Sequence, residues 1–266
     1  MPEAPEVKIF GSHLQSFLLH KPILECQILG GRFSKENILN LDLFNKSLLN
    51  DTQITQVGVK GKFLYIEFNN QWFLWNTLGM TGQWSSTQEP HSAFVIKTSA
   101  GNAYFTDPRR FGTLKFVKGR PLLIQKLAEL GPNLLDDNIS KQVNYKIFDT
   151  NKTIVEILMN QKNIAGIGNY IKSEALYISK ISPWRTGRSL SPEDRVKIVE
   201  AAHTVASASF LLGGSTLATY KNFEGNVGSF NKQLKVYKKN MVDGMKVISQ
   251  DTLDKRTTYW VPEIQT

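Results

Sequence analysis

Four stretches and the chain start hold the residue types that could do chemistry. The chain opens MPEAPEV, with Pro2 behind the initiator methionine and two acids, Glu3 and Glu6, inside six residues. An acidic start of this kind is commonly a solvated, frayed segment, so these residues acquire meaning only from the rest of the chain. Residues 160–174, NQKNIAGIGNYIKSE, set Gly166 and Gly168 between two helical patterns, with Asn169 opening the second. Glycines admit a close backbone approach, and the helix start behind them offers unpaired N–H groups to a phosphate; a plain loop between packed helices is the competing reading. Residues 107–112, DPRRFG, put Arg109 and Arg110 behind a proline turn and before Phe111, which suits a tip that enters a duplex, or equally a surface Arg pair beside a core aromatic. LGMTG (78–82) presents Met80 on a turn, where a core methionine is the ordinary alternative. Lys60 and Lys62 precede the strand FLYIEF, as a phosphate contact or a solvated strand edge.

The background composition narrows the partners. The chain has 266 residues, a formal net charge of +9 and a pI of about 9.5, so it favours polyanions, of which nucleic acid is the commonest inside cells. An anionic membrane surface is the other candidate, but no Lys/Arg-faced amphipathic helix stands out. No apolar run reaches the roughly 20 residues that span a bilayer. The acidic start lacks the basic and apolar regions of a secretory signal, which points to an intracellular protein in whichever compartment holds its nucleic acid. A single cysteine, Cys26, excludes an intramolecular disulfide and a cysteine-based zinc site, and the four histidines have no metal-ligand spacing.

The elements that must position these residues fall into three parts, an α+β fold. Through residue 120, alternating segments (ILECQILG, ITQVGVKGKFLYIEF, QWFLWNTLGM, SAFVIKTSAGNAYFTD, TLKFVKG) predict an antiparallel sandwich or barrel, preceded by a helix in EVKIFGSHLQSFLL. Residues 121–229 predict helices: LLIQKLAELG stopped by Gly131-Pro132, then TIVEILMNQ, GNYIKSEALYIS, and SPEDRVKIVEAAHTVASASFLLGG with Ser191 as N-cap and Pro192 at N1. Residues 230–266 predict strands again, in QLKVYKK and in a hairpin of MKVISQ and RTTYWV around the polar tip QDTLDK.

Taken in order, MPEAPEV, GKFLYIEF, LGMTG, DPRRFG, LGPNLL, IAGIGNYIKSEALY and GGSTL resemble the Fpg/Nei family of bifunctional DNA glycosylases over nearly the whole chain. The resemblance implies an N-terminal β-sandwich with a flanking helix (1–120), a helical domain (121–229) whose helix–two-turn–helix covers about 153–179, and a C-terminal finger (230–266). It implies removal of Met1 and a catalytic Pro2 whose secondary amine attacks C1′ of a damaged nucleotide. An α-amino group has a reference pKa near 7.7–8.0, so part of it is neutral at physiological pH. It further implies that Glu3 moves protons, that Glu6 organises the site, that Lys62 and Arg256 are catalytic residues that contact phosphate, Lys62 beside the lesion with Lys60 in support, and that Asn169 grips that same phosphate. Met80, Arg109 and Phe111 would fill the gap left by a flipped base. The implied activity is glycosylase and abasic-site lyase by β,δ-elimination, without metal or redox cofactor, in a monomer clamping DNA that carries oxidised bases or abasic sites.

The chain also departs from that family. Thr77 stands where a histidine is frequent, and Val261 and Ile264 occupy places of zinc-finger cysteines, so a zincless finger is expected, its core drawn from Val247, Tyr259, Trp260 and Val261. The segment between Gly214 and Phe230 has about the length of a lesion-capping loop. A non-catalytic binder of damaged DNA is the alternative function; it would need neither the terminal amine nor the adjacent acid.

Overall fold

The computed structural model describes residues 2–215 and 228–266; the capping-loop expectation falls mostly on residues outside these. Helix α1 (Ala4–Leu18) starts where the Glu3 N–H donates to the Glu6 carboxylate at 2.8 Å, with Pro5 in the first turn. Its buried side chains, Val7, Phe10, Leu14 and Leu18, recur every three or four residues and form one stripe. Then follow β1 (Ile23–Ile28), the short helices α2 (Phe33–Glu36) and α3 (Leu41–Lys46), β2 (Ile54–Lys60), β3 (Phe63–Phe68), β4 (Trp72–Thr77), β5 (Gln83–Ser85), β6 (Ser92–Thr98), β7 (Gly101–Thr106) and β8 (Thr113–Lys118).

These strands make two four-stranded antiparallel sheets, ordered β1-β6-β7-β5 and β2-β3-β4-β8. They face each other over one apolar core, in which Phe44 stacks on Phe116 at 4.4 Å between ring centroids. The β2–β3 turn at Gly61 brings Lys62 to the rim of the sandwich. A Cβ on Gly61 would overlap the Ala165 and Gly166 backbone, and its φ of +58° is left-handed, so only glycine lets this turn meet the helical part so closely.

The second core is helical: α4 (Arg120–Ala128), α5 (Ile139–Gln142), α6 (Ile154–Met159), α7 (Asn169–Ser179) and α8 (Pro192–Leu211). Thr153 and Glu156 cap α6 reciprocally, and Ser191 caps α8 as its sequence predicts. α6 and α7, joined by the turns of residues 161–168, form the helix–two-turn–helix. The Gln161 side chain ties that connection together, donating to the Met159 and Ile167 carbonyls and accepting the Gly166 N–H.

The C-terminal part contains β9 (Met241–Val242), β10 (Met245–Lys246) and the hairpin β11 (Ile248–Thr252) with β12 (Arg256–Trp260). The strand expected in QLKVYKK does not form. The backbone N–H groups of Lys235, Val236 and Tyr237 all turn to the Glu174 carboxylate, at 2.8–2.9 Å, so they are lost to any sheet ladder. Val236, Val242, Val247 and Val261 make a small separate core, with Tyr259 and Ile264 against it. Trp260, expected in that core, stays outside it. Because Val261 is fully buried in so small a cluster, Val261→Ala is expected to lower stability by about 1–3 kcal/mol, measurable by denaturant titration.

Candidate active site and nucleic-acid interface

The Glu3 side chain lies at the junction of the sandwich and the helical part. Its carboxylate accepts the backbone N–H groups of Gly168 (2.8 Å), Tyr170 (2.9 Å) and Ile171 (3.2 Å), so it seals the start of α7. This corrects the expectation that the helix start stands open for a phosphate. A carboxylate from the chain start already fills it. Gly168 permits the contact, since a Cβ there would overlap the Glu3 Cδ.

Burial raises the Glu3 pKa most. Lys62 pulls it down, Glu6 pushes it up, and the Tyr170 and Ile171 N–H groups pull it down; the balance is about 7, against 4.5 for an ordinary glutamate. Such an acid exchanges a proton near neutral pH. Lys62 is half-buried; burial draws its pKa down, Glu3 lifts it, and Arg256 presses it down again. The three charges therefore feel one another, although they come from the chain start, a strand turn and the C-terminal hairpin.

Two clefts collect most of the residues singled out in the sequence. One, of about 280 Å³, is lined by Glu3, Met80, Arg109, Asn169 and Arg256. The other, of about 270 Å³, is lined by Pro2, Lys62, Thr77 and Gly79. Consecutive residues, Pro2 with Glu3 and Gly79 with Met80, connect them. Thr77 pairs its hydroxyl with that of Thr113 at 2.7 Å.

The Met80 and Arg109 turns form one unit. The buried Asp107 carboxylate accepts the Thr81 hydroxyl and the Gly112 N–H, both at 2.6 Å, and the Arg109 N–H donates to the Thr81 hydroxyl. Gly79, at φ +63°, lies so close to Phe111 and Gly112 that a Cβ would collide with their backbone. Phe111 is 54% exposed, and the Arg109 guanidinium sits 5.5 Å from its ring centroid. A half-exposed phenylalanine beside an arginine has the shape and charge of a wedge for stacked bases.

Lys60 and Glu6, expected to support and to organise the site, both have partners within the protein. Lys60 Nζ donates to the Leu127 and Leu130 carbonyls at 2.9 and 3.1 Å, where it caps the end of α4. Glu6 is buried; its carboxylate accepts the N–H groups of Glu3 and Ser215 and the Tyr170 hydroxyl. Burial raises its pKa. Glu6 thus orients the backbone that carries Pro2 and Glu3 and is itself buried.

Sequence reading missed Thr81, Met159, Tyr170, Tyr237 and Lys238, all of which line the larger cleft. Tyr237 was hidden in the supposed strand. Lys238 adopts φ +57°, unfavourable for a lysine, which no periodicity signals.

Family models, relatives and solved structures match the chain along most of its length. The family model for the formamidopyrimidine-DNA glycosylase N-terminal domain matches residues 1–114, and that for the formamidopyrimidine-DNA glycosylase H2TH domain matches residues 130–221. A formamidopyrimidine-DNA glycosylase of Bacillus cereus is 30% identical over 277 aligned residues, covering 100% of this chain and 99% of that one. That of Zymomonas mobilis is 31% identical, covering 97% of both. The crystal structure of the MutM (Fpg) protein from Thermus thermophilus superimposes with a TM-score of 0.85 at 27% identity, over 99% of this chain and 98% of that one. The Lactococcus lactis Fpg in complex with abasic-site DNA shares the fold, with a TM-score of 0.84 at 22% identity over 99% of each chain. The chain belongs to the formamidopyrimidine-DNA glycosylase family, the DNA glycosylase/abasic-site lyases of base-excision repair.

Proposed function

We propose that the protein excises oxidised bases from DNA, formamidopyrimidines among them, through an N-terminal proline Schiff base, and then cleaves the strand by β,δ-elimination. The observation that carries this reading is Glu3: a buried carboxyl with a pKa of about 7, next in chain to Pro2 and coupled to Lys62.

With Met1 removed, the neutral Pro2 nitrogen attacks C1′ and the base departs with the bonding electrons. The Pro2 nitrogen then loses its proton and its lone pair opens the sugar ring, with the C1′–O4′ electrons and a proton going to O4′; the resulting iminium acidifies C2′, so that loss of a C2′ proton expels the 3′ phosphate. A second elimination then expels the 5′ phosphate. Glu3, half-protonated near neutrality, gives and takes the protons of these steps. Lys62 and Arg256 hold phosphates beside the lesion, with the Asn169 side chain at the cleft wall. Met80, Arg109 and Phe111 fill the space of the flipped nucleotide; the braced Asp107 turn suits them to this, because a filler must not yield when the stack closes on it. Lys60 and Glu6 act as supports of the site.

Borohydride reduction on an abasic-site oligonucleotide tests the proposal. The wild type, with Met1 shown absent by mass spectrometry, is expected to form a covalent protein–DNA band. Pro2→Gly is expected to weaken or abolish it. Absence of a band with tight lesion binding retained would identify a non-catalytic binder instead.

A further inference from the structure

Helix α7 turns three side chains at i, i+3 and i+4, one face, toward the hairpin. Asn169 donates its amide to the Thr257 carbonyl at 2.8 Å, and the Ser173 hydroxyl receives the Tyr259 N–H at 3.4 Å. Between them Lys172 Nζ donates to Asp254 Oδ2 at 2.6 Å. The exposures of these two side chains are 0% and 3%, whereas each other ion pair among the described residues has at least one partner more than a quarter exposed.

An aspartate at a hairpin tip is ordinarily solvated; its neighbour Leu253 is 63% exposed while Asp254 points inward. Asp254 Oδ1 lies 2.5 Å from the Thr252 hydroxyl, which also reaches the Arg256 carbonyl at 2.9 Å and the Thr258 hydroxyl at 2.7 Å. The single proton of this hydroxyl is shared between two acceptors, the Asp254 carboxylate and the Arg256 carbonyl, so the ion pair and the backbone of Arg256 meet at one side chain. A two-stranded hairpin is marginal by itself. Here the valine cluster holds its base, and the far end, which bears Arg256, is held by this pair. Buried ion pairs contribute little net stability, because desolvation offsets their attraction, but their geometry is directional.

We propose that Lys172 and Asp254 are positioning residues for Arg256: their ion pair fixes the hairpin tip against the helix that carries Asn169, so that guanidinium and amide face one DNA phosphate. The proposal rests on the DNA-cleaving reading of the cleft. It concerns residues that the sequence alone did not single out.

The test measures affinity for a duplex with a tetrahydrofuran abasic-site analogue across a KCl series, for wild type, Arg256→Ala, Asp254→Asn, and the charge-free Lys172→Met/Asp254→Leu. Arg256→Ala is then added to each of the last two. Asp254→Asn is expected to lose about tenfold in affinity and to flatten the salt dependence by about one phosphate contact, as Arg256→Ala does. Adding Arg256→Ala is expected to cost nothing more, because both changes remove one contact. The charge-free variant is expected to melt like wild type yet show the same flattened slope; it serves equally if Asp254→Asn does not fold. A wild-type slope in the charge-free variant, or losses that add fully to those of Arg256→Ala, would overturn the proposal. Because this assay involves no bond cleavage, failure of the Schiff-base chemistry shows separately, in the borohydride experiment.

Discussion

Glu3→Gln is expected to lower the single-turnover rate on a lesion-bearing duplex by about 10²–10⁴-fold, the usual weight of a positioned proton-transfer group. The pH profile is expected to change form as well. On the proposed mechanism, activity needs a protonated Glu3, with a pKa of about 7, and a neutral Pro2 amine, whose reference value is about 7.7–8.0. The wild-type rate should therefore rise with pH as the amine loses its proton and fall at higher pH as the acid is consumed, giving a bell whose limbs belong to the pair. Glutamine does not titrate, so the falling alkaline limb should vanish. An unchanged bell in Glu3→Gln would assign the limb to another group.

The same shift has a consequence for stability. The folded-state pKa of Glu3 is raised above its unfolded value, so between about pH 4.5 and 7 the native state holds more protons than the unfolded one. Its contribution to stability is full below pH 4.5, declines as pH rises through that window, and is gone above about 7. Denaturant melts of the wild type should show this decline, and Glu3→Gln should flatten it.

Gly168→Ala is expected to have a comparable effect on catalysis without touching a titratable group. The added methyl would occupy the place of the Glu3 Cδ, so the carboxylate must withdraw from the start of α7. Three N–H groups then lose their acceptor, and Glu3 leaves its position beside Lys62 and Pro2. Loss of the cap with overpacking should cost about 1–3 kcal/mol of stability. Activity should fall toward the level of Glu3→Gln, and the double variant should be little worse than either single one. Gly168→Ala with wild-type turnover would show that Glu3 functions in another position.

Much of the fold follows from local patterns. The strands of the sandwich alternate, α1 repeats its apolar residues every three or four positions, and α8 carries its cap and stop; each of these signals lies within one element. QLKVYKK failed for a non-local reason. Its alternation suits a strand, but Glu174, some sixty positions earlier, captures its N–H groups. Trp260 likewise follows the hairpin pattern yet misses the small core that Val261 enters.

The site divides along the same line. The order of short motifs along the chain, and the family resemblance it carries, marked Pro2, Glu3, Lys62, Met80, Arg109, Phe111, Asn169 and Arg256, although each motif alone also had a plain structural reading. No local segment could say that Glu3 would close the start of a helix 165 positions away, that Lys60 would cap α4, or that Lys172 would bury its charge against Asp254. The amino-acid sequence by itself determined which chemical groups are present and which elements carry them. Only the tertiary structure decided which groups share a desolvated space, and desolvation together with neighbouring charge is what raises the pKa of an ordinary glutamate to about 7.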